Sequence, residues 1–237
     1  MKKILVILGV LLALLVVVLV IASFYIGSIV KAGVQAVGPK VTKVAVILDS
    51  ASLSPFSGHG TLKGLSIGNP EGYKAPASIR VGVLSVSVQP STVFSSKVVV
   101  RSLKIDSPEI TAEDMGGNLN KLRDNINASL GSEPSARRFQ VDELVIQNGR
   151  INLTMGLLGG KGTTIPLPPI HLKDLGRDGQ GLSGGELAQK IVAAVLEKAI
   201  PAIAENAAKL GKDVIKGADD AVKGATDLLK GAGGLFK

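Results

Sequence analysis

Two histidines, His59 and His171, are the whole supply of imidazole in this chain, and cysteine is absent. Without a thiol there is no disulfide, no thiolate nucleophile and no cysteine metal site. His59 lies in a Ser/Gly-rich stretch and His171 in a Pro-rich one, and neither has a second ligand at the spacing of a metal site. Glu109, Glu113 and Asp114 bring carboxylates close together, the raw material of glycoside hydrolysis. Two carboxylates alone do not establish that chemistry, and a charged turn accounts for them. Gly156 to Gly162 carries glycines and Lys161, but Gly162 separates Lys161 from Thr163, so the Gly-Lys-Ser/Thr ending of a phosphate loop is missing. The sequence therefore predicts no catalytic residue, no metal ligand and no cofactor; the protein reads as a non-enzyme.

The strongest physical signal lies in the first 30 residues. Lys2 and Lys3 precede an almost uninterrupted apolar run from Ile4 to Ile26, and no charge occurs between Lys3 and Lys31. At 1.5 Å per residue, about 20 such residues cross a hydrocarbon core of about 30 Å as a helix. A secretory signal shares the basic start, but its apolar core spans about 7–15 residues and ends in a small-x-small site. Here the run is longer, and Ala22-Ser23 is followed by Phe24-Tyr25-Ile26. The reading is an uncleaved single-pass anchor over residues 1–30. The two lysines place its N-terminus in the cytoplasm under the positive-inside rule, with the rest of the chain across the membrane. Phe24 and Tyr25 fall at the far interface, where amphipathic rings collect.

The formal charge of +8 falls to about +6 once Lys2 and Lys3 are set aside, which favours either anionic headgroups or simple solubility. Arg137-Arg138 is the densest basic pair, tryptophan is absent, and only five Phe and two Tyr occur. Nucleic-acid readers add stacking platforms or a recognition element, so a nucleic-acid partner is not predicted.

Beyond Lys31, Gly33, Gly38 and Pro39 mark a junction into extended segments. Val41 to Leu48 and Thr61 to Ile67 read as strands, separated by a Ser/Gly/Pro turn. In Ile79 to Gln89, strict alternation puts Ile79, Val81 and Val83 on one face and Leu84, Val86 and Val88 on the other. In Lys97 to Asp106 it sets Val99, Leu103 and Ile105 against Val98 and Val100. Gly116-Gly117 precedes a short helix over Leu119 to Leu130. Phe139 to Gln147 and Arg150 to Met155 flank Asn148-Gly149, whose tolerance of positive φ predicts a type I′ hairpin. Pro166, Pro168 and Pro169 mark the last extended piece, through Ile165, Leu167, Ile170 and Leu172, as an edge strand or irregular cover.

At Gly181 the pattern becomes helical. Ser183 precedes Glu186 at capping-box spacing, and Leu187, Ile191, Ala194 and Val195 follow a helical period. A second amphipathic stretch runs from Ala202 to about Leu229, weakened by Gly211, Gly217 and Gly224. This tail has three open fates: packing on the sheet, pairing with another chain, or lying on a membrane surface.

The order of the extended segments resembles the N-terminal part of bacterial AsmA-like proteins, relatives of the chorein-type lipid-transfer proteins. The likeness rests on Val41-Thr42-Lys43-Val44 through Leu48-Asp49, Gly60 to Pro70, Val81 to Val88, Val98 to Ile110, Gly117-Asn118-Leu119 and Val141 to Ile151, and covers roughly residues 1–175. It implies an inner-membrane anchor, a periplasmic domain, and a curled sheet whose apolar trough carries phospholipid. This chain is shorter than a full bridge, and its helical tail stands where further strands would be.

The fold class expected is α+β: a transmembrane helix (1–30), a curved, mostly antiparallel sheet with an AsmA/chorein-like groove (31–180), and a helical C-terminal region (181–237). Strands apolar on both faces must cover both or meet something oily. Ile79, Val81, Val83, Val99, Leu103 and Ile105 are the groove-lining candidates, each buried methylene contributing about 0.8 kcal/mol. The other reading of these residues is plain core in a two-layer domain. The expected partners are membrane phospholipid and the inner membrane; the alternative role is a tethered scaffold binding an envelope protein through its apolar sheet face and C-terminal helices.

Overall fold

A computed structural model describes residues 2–130, 137–154 and 162–206, with the side chains of residues 2–6, 8, 12–13 and 15–24 outside that description. The first element, α1 (Lys2–Thr42), is one helix of 41 residues. Its apolar sequence contains no stop until Pro39, which falls in the last turn, where a missing amide costs little. Lys43 then takes a left-handed φ of 57°, and its amide donates to the Pro39 carbonyl at 2.9 Å, closing the helix. The junction expected at Gly33, Gly38 and Pro39 is therefore helical. Gly38 is a contact point: a Cβ there would meet the Val46 side chain at 2.8 Å. Gly27 lies closer still, since a Cβ would sit 2.0 Å from the Ala51 carbonyl oxygen. Ile26 and Val41 are both buried, so the boundary expected at residue 30 falls inside a packed helix.

Among the described residues ten strands form one mixed, mostly antiparallel sheet: β1 (Val46–Ile47), β2 (Ser50–Leu53), β3 (His59–Gly68), β4 (Ala77–Val88), β5 (Lys97–Asp106), β6 (Glu109–Glu113), β7 (Arg138–Gln147), β8 (Arg150–Thr154), β9 (Gly162–Pro166) and β10 (Ile170–Leu175). Their registers join them into six longer paths. β1 and β2 pair with β3 in one continuing register, from Val46↔Ile67 to Leu53↔Gly60. β4 lies between β3 on one side and both β5 and β6 on the other. β7 and β8 run parallel to β5 and β6 without a change of register, from Lys97↔Arg138 through Asp106↔Gln147 to Glu113↔Thr154. β10 and β9 complete the sheet antiparallel to β7 and β8, from Leu175↔Val141 to Thr154↔Gly162.

The hairpin expected at Asn148-Gly149 is not formed. β7 and β8 continue one path, each pairing with β5 or β6 and with β10 or β9. Asn148 does take the positive φ expected of it (56°), but so does its neighbour on the adjacent path, Ser107 (53°). Both residues take up an extra step inside strands that keep their direction and register, so the side-chain alternation slips in both paths together. Gly149 is required next to this slip because a Cβ would meet Leu167 Cδ2 at 2.8 Å and Pro108 Cγ at 3.2 Å.

This extra step recurs across the sheet. Asp49–Ser50, Gly82–Val83, Asp106–Ser107, Gln147–Asn148 and Pro168–Pro169 are each two consecutive exposed residues, and Gly64 on β3 takes a φ of 65° in the same line. At this slip line the inward set moves by one residue in every path, so one face stays apolar along its whole length. One inward row is Val46, Ile67, Ile79, Ile110, Ile151 and Ile165, each the register partner of the next. Across the line the matching row is Ala51, Leu62, Leu84, Ile105, Ile146 and Ile170. Each fully buried aliphatic side chain of this kind contributes about 1.5–3 kcal/mol, so these rows fix which face the helices cover.

Among the described residues three helical segments cover it. The C-terminal end of α1 contributes Val41; α2 (Gly117–Ser129) contributes Leu119, Leu122 and Ile126; α3 (184–206) contributes Val192, Val195, Leu196, Ala199 and Ile203. α2 matches the helix expected over Leu119 to Leu130. The capping box is present as read: the Glu186 amide donates to Ser183 Oγ at 3.1 Å, and Glu186 Oε2 accepts from the Ser183 amide at 2.6 Å. Of the three fates open to the tail, its first half packs on the sheet; residues 207–237 lie outside the described residues.

Candidate functional site

The six groove candidates do not line one surface. Val81 and Ile105 belong to the buried core, and Ile79 and Leu103 pack against it beneath the helices. Val83 points the other way and is 48 % exposed. The expectation that Ile79, Val81 and Val83 share a face is thus corrected, because the slip at Gly82–Val83 carries the inward set on to Leu84, Val86 and Val88. A bulge explains β5: Ser87 pairs with Ser102 and Val88 with Val100, leaving Arg101 as the extra residue. Val98 and Val100 therefore share the core face with Leu103 and Ile105. Val99 is half-buried on the other side, its amide donating to Thr92 Oγ1 at 3.0 Å and its carbonyl accepting from Gln89 at 2.8 Å.

On the open face the slip line leaves a shallow cavity of about 480 Å³, lined by Gly82, Val83, Ser85, Lys104, Asp106, Ser107 and Gln147. Its central carboxylate is already occupied. Asp106 accepts from Asn148 Nδ2 at 2.7 Å, Gln147 Nε2 at 3.2 Å and Ser107 Oγ at 3.3 Å. The Asn148 and Gln147 amides hold its pKa below the ordinary carboxylate value. This group latches neighbouring paths together at the slip line and is poorly placed to accept a substrate proton. With Val83 the one large apolar side chain in its lining, the cavity offers an acyl chain little to bury against.

The other chemistry-bearing residues are separated by the fold. His171 Nε2 lies 2.8 Å from Glu143 Oε1 on β7, both half-exposed. His59 opens β3, across the sheet from β10. Glu109 pairs with Arg150 at 2.6 Å. Glu113 turns to the far end of the sheet, where it accepts from the amides of Lys74 (3.0 Å) and Ala75 (2.8 Å) and from the Asn69 side chain. Burial alone would raise its pKa, but those amides, Asn69 and the Lys74 charge together hold it below the ordinary value. Asn118, fully buried, completes this clamp: its Oδ1 accepts from the Glu113 amide at 2.9 Å, and its Nδ2 donates to Asn69 Oδ1 (2.9 Å) and the Thr111 carbonyl (2.8 Å). Ser78 Oγ donates to Asn69 Oδ1 at 2.6 Å. Glu109 and Glu113 thus serve different partners. Among the described residues no group of three or more His, Asp or Glu is placed to hold a metal ion.

What the sequence reading missed is how α1 meets the sheet. The helix lies along the edge formed by β1 and β2 and also touches α2. Gly38 faces Val46, Lys31 Nζ donates to the Asp49 carbonyl at 2.8 Å, and Gly27 faces Ala51 and Ser52, so helix and edge run in opposite directions. Ser129 Oγ donates to the Lys40 carbonyl at 3.2 Å and Asn125 Nδ2 to the Thr42 carbonyl at 3.1 Å. The available signal was a pair of glycines, Gly27 and Gly38, on one helix; the sequence reading takes Gly38 for part of a junction and gives Gly27 no role. Among the described residues no helix is long and apolar enough to cross a membrane; most side chains of the expected anchor lie outside them. Those described in its first half, Ile7, Val10, Leu11 and Leu14, are all exposed. No family model, no curated protein and no solved structure matches the chain.

Proposed function

We propose that this chain is a membrane-tethered, non-enzymatic domain of the bacterial envelope, with its N-terminus cytoplasmic and its sheet domain periplasmic, that works on or beside membrane lipid in the manner of AsmA-like proteins. One observation carries the reading: α1 is a single helix whose first part is the charge-free apolar run and whose last part is docked into the domain core. Such a helix holds the domain at a fixed height and angle over the bilayer, which a flexible linker would not do. Isolated exposed apolar side chains on the first part of that helix are costly in water and favourable in lipid.

Within this reading, lipid enters an apolar sheet groove only if α3 leaves it, because α3 occupies the face that the sequence assigns to acyl chains. The joint before α3, with Gly176, Gly179 and Gly181 at positive φ, is held to β7 by the paired Phe139 and Leu182 backbones, so such a movement starts beyond Leu182. The scaffold reading needs no such movement; it uses the rigid helix to present the domain to an envelope protein.

The experiment compares the full chain with Ala199→Asp, which places a charge where α3 meets the sheet, both purified in mild detergent. Mass spectrometry then counts phospholipid per protein and identifies co-purifying chains, with circular dichroism confirming the sheet. Lipid bound by both proteins, more by the variant, supports the groove. No lipid in either, with a stoichiometric protein partner, supports the scaffold. A full chain that stays soluble without detergent contradicts the tether itself.

A further inference from the structure

We infer that the end of the sheet where α1 leaves it is a membrane-contacting base, with Phe56 and Phe94 seated in the lipid interface; the inference rests on α1 entering the bilayer. Phe56 is 67 % and Phe94 81 % exposed, and Phe94 is the most exposed large apolar side chain among the described residues. Neither packs on the domain, and each sits in a short loop of small and polar residues, 54–58 and 89–96. The two loops form one structure. The Val88 amide donates to the Gly58 carbonyl at 2.8 Å, the Ser54 amide to the His59 carbonyl at 2.9 Å, and a Cβ on Gly58 would lie 3.2 Å from Pro90.

The course of α1 gives their level. From Gly38 against Val46, through Lys31 against Asp49, to Gly27 against Ala51 and Ser52, the helix moves toward the end of β2 at Leu53. Residues before Gly27 therefore pass beyond the sheet at the end that carries the 54–58 loop. Tyr25, 66 % exposed, falls at that level, and the charge-free run continues from there toward Lys3. If the run is in hydrocarbon, Tyr25, Phe56 and Phe94 all lie where the bilayer meets water, the depth at which aromatic rings are most favourable. Three rings at one level on two elements also resist rocking of the domain about the helix. Among the described residues the Asn69–Glu113–Asn118 clamp at the opposite end carries no exposed aromatic ring, its exposed apolar side chain being Met115.

The chain has no tryptophan, so single Phe56→Trp, Phe94→Trp and, at the far end, Met115→Trp variants of the full chain each carry one reporter. They are reconstituted into phosphatidylcholine/phosphatidylglycerol vesicles with and without bromine-labelled acyl chains. The Trp at positions 56 and 94 loses about half of its emission to bromolipid, as interfacial indoles do, while that at 115 is unchanged. Protein that stays with the vesicles through an alkaline carbonate wash, yet shows no quenching at 56 and 94, overturns the base while leaving the tether standing. Equal quenching at all three sites overturns it as well, since the domain would then lie flat. Protein released by the wash overturns both readings together.

Discussion

The two ends of the sheet treat their loops in opposite ways. At the far end Asn69, Ser78, Glu113 and Asn118 bond one another and the backbone of the 69–76 segment, with Asn118 and Ser78 fully buried. At the end where α1 leaves, the loops are held by backbone bonds and by the hydroxyls of Ser54, Ser57 and Thr92, and Phe56 and Phe94 stand outside the core. One end buries polar side chains in a bonded cluster. The other leaves apolar tips uncovered, which is unfavourable unless something else covers them. Stability and membrane contact should therefore be separable by mutation.

The largest effect is expected at the clamped end. Asn118→Ala strands the Glu113 amide, the Asn69 side chain and the Thr111 carbonyl, and should cost about 2–4 kcal/mol in urea unfolding at unchanged membrane retention. A value under 1 kcal/mol would mean that the clamp is not structural. Next comes the contact between tether and sheet. Gly27→Ala drives a methyl into the Ala51 carbonyl, a backbone atom with no cheap way to yield, and should cost about 1–3 kcal/mol while leaving helix content nearly unchanged.

Acid separates the ends further. Glu113 has a folded pKa below its unfolded one, so its stabilisation is complete above the unfolded value and is lost as pH falls through the folded one. Glu113→Gln should flatten the acid limb of the Tm profile below about pH 4 and lower Tm at neutrality. Asp106 and Glu186 are shifted the same way and share that limb, so it flattens only in part. The smallest effect on stability is expected at the open end: Phe56→Ser and Phe94→Ser should each stay within about 0.5 kcal/mol of the parent. A loss of several kcal/mol there would show the two rings to be core residues after all.

Much of the fold was legible because it followed local rules. The α+β class, the short helix after Gly117, the Ser183–Glu186 cap and most strand positions came from periodicity and capping chemistry. The faces did not. Alternation assigns Val83 with Val81, and only the slip at Gly82–Val83 sends Val83 outward and Leu84 inward. In each path the apolar residues are three apart at one point, as in Val81–Leu84 and Ile146–Gly149, a spacing that a period-two reading takes for a change of face. Asn148-Gly149 has the conformational preferences of a hairpin turn and of a slip within a continuing strand alike, and only the parallel partner, 41 residues upstream at Ser107, decides between them. Gly27 and Gly38 were opaque for a similar reason, since a glycine that lets a strand approach has the same letter as one that ends a helix. Groove residues chosen by face were bound to scatter once the faces were wrong.

The central claim is that tether and domain are one rigid body through a single helix. Because the chain lacks cysteine, spin labels at Leu14→Cys and Gln35→Cys report on that helix alone. For the full chain in lipid vesicles, pulsed electron paramagnetic resonance should give a narrow distribution near 32 Å, about 21 residues at 1.5 Å each. A broad distribution, or one centred well below that length, would mean a hinge between anchor and sheet and would contradict the account.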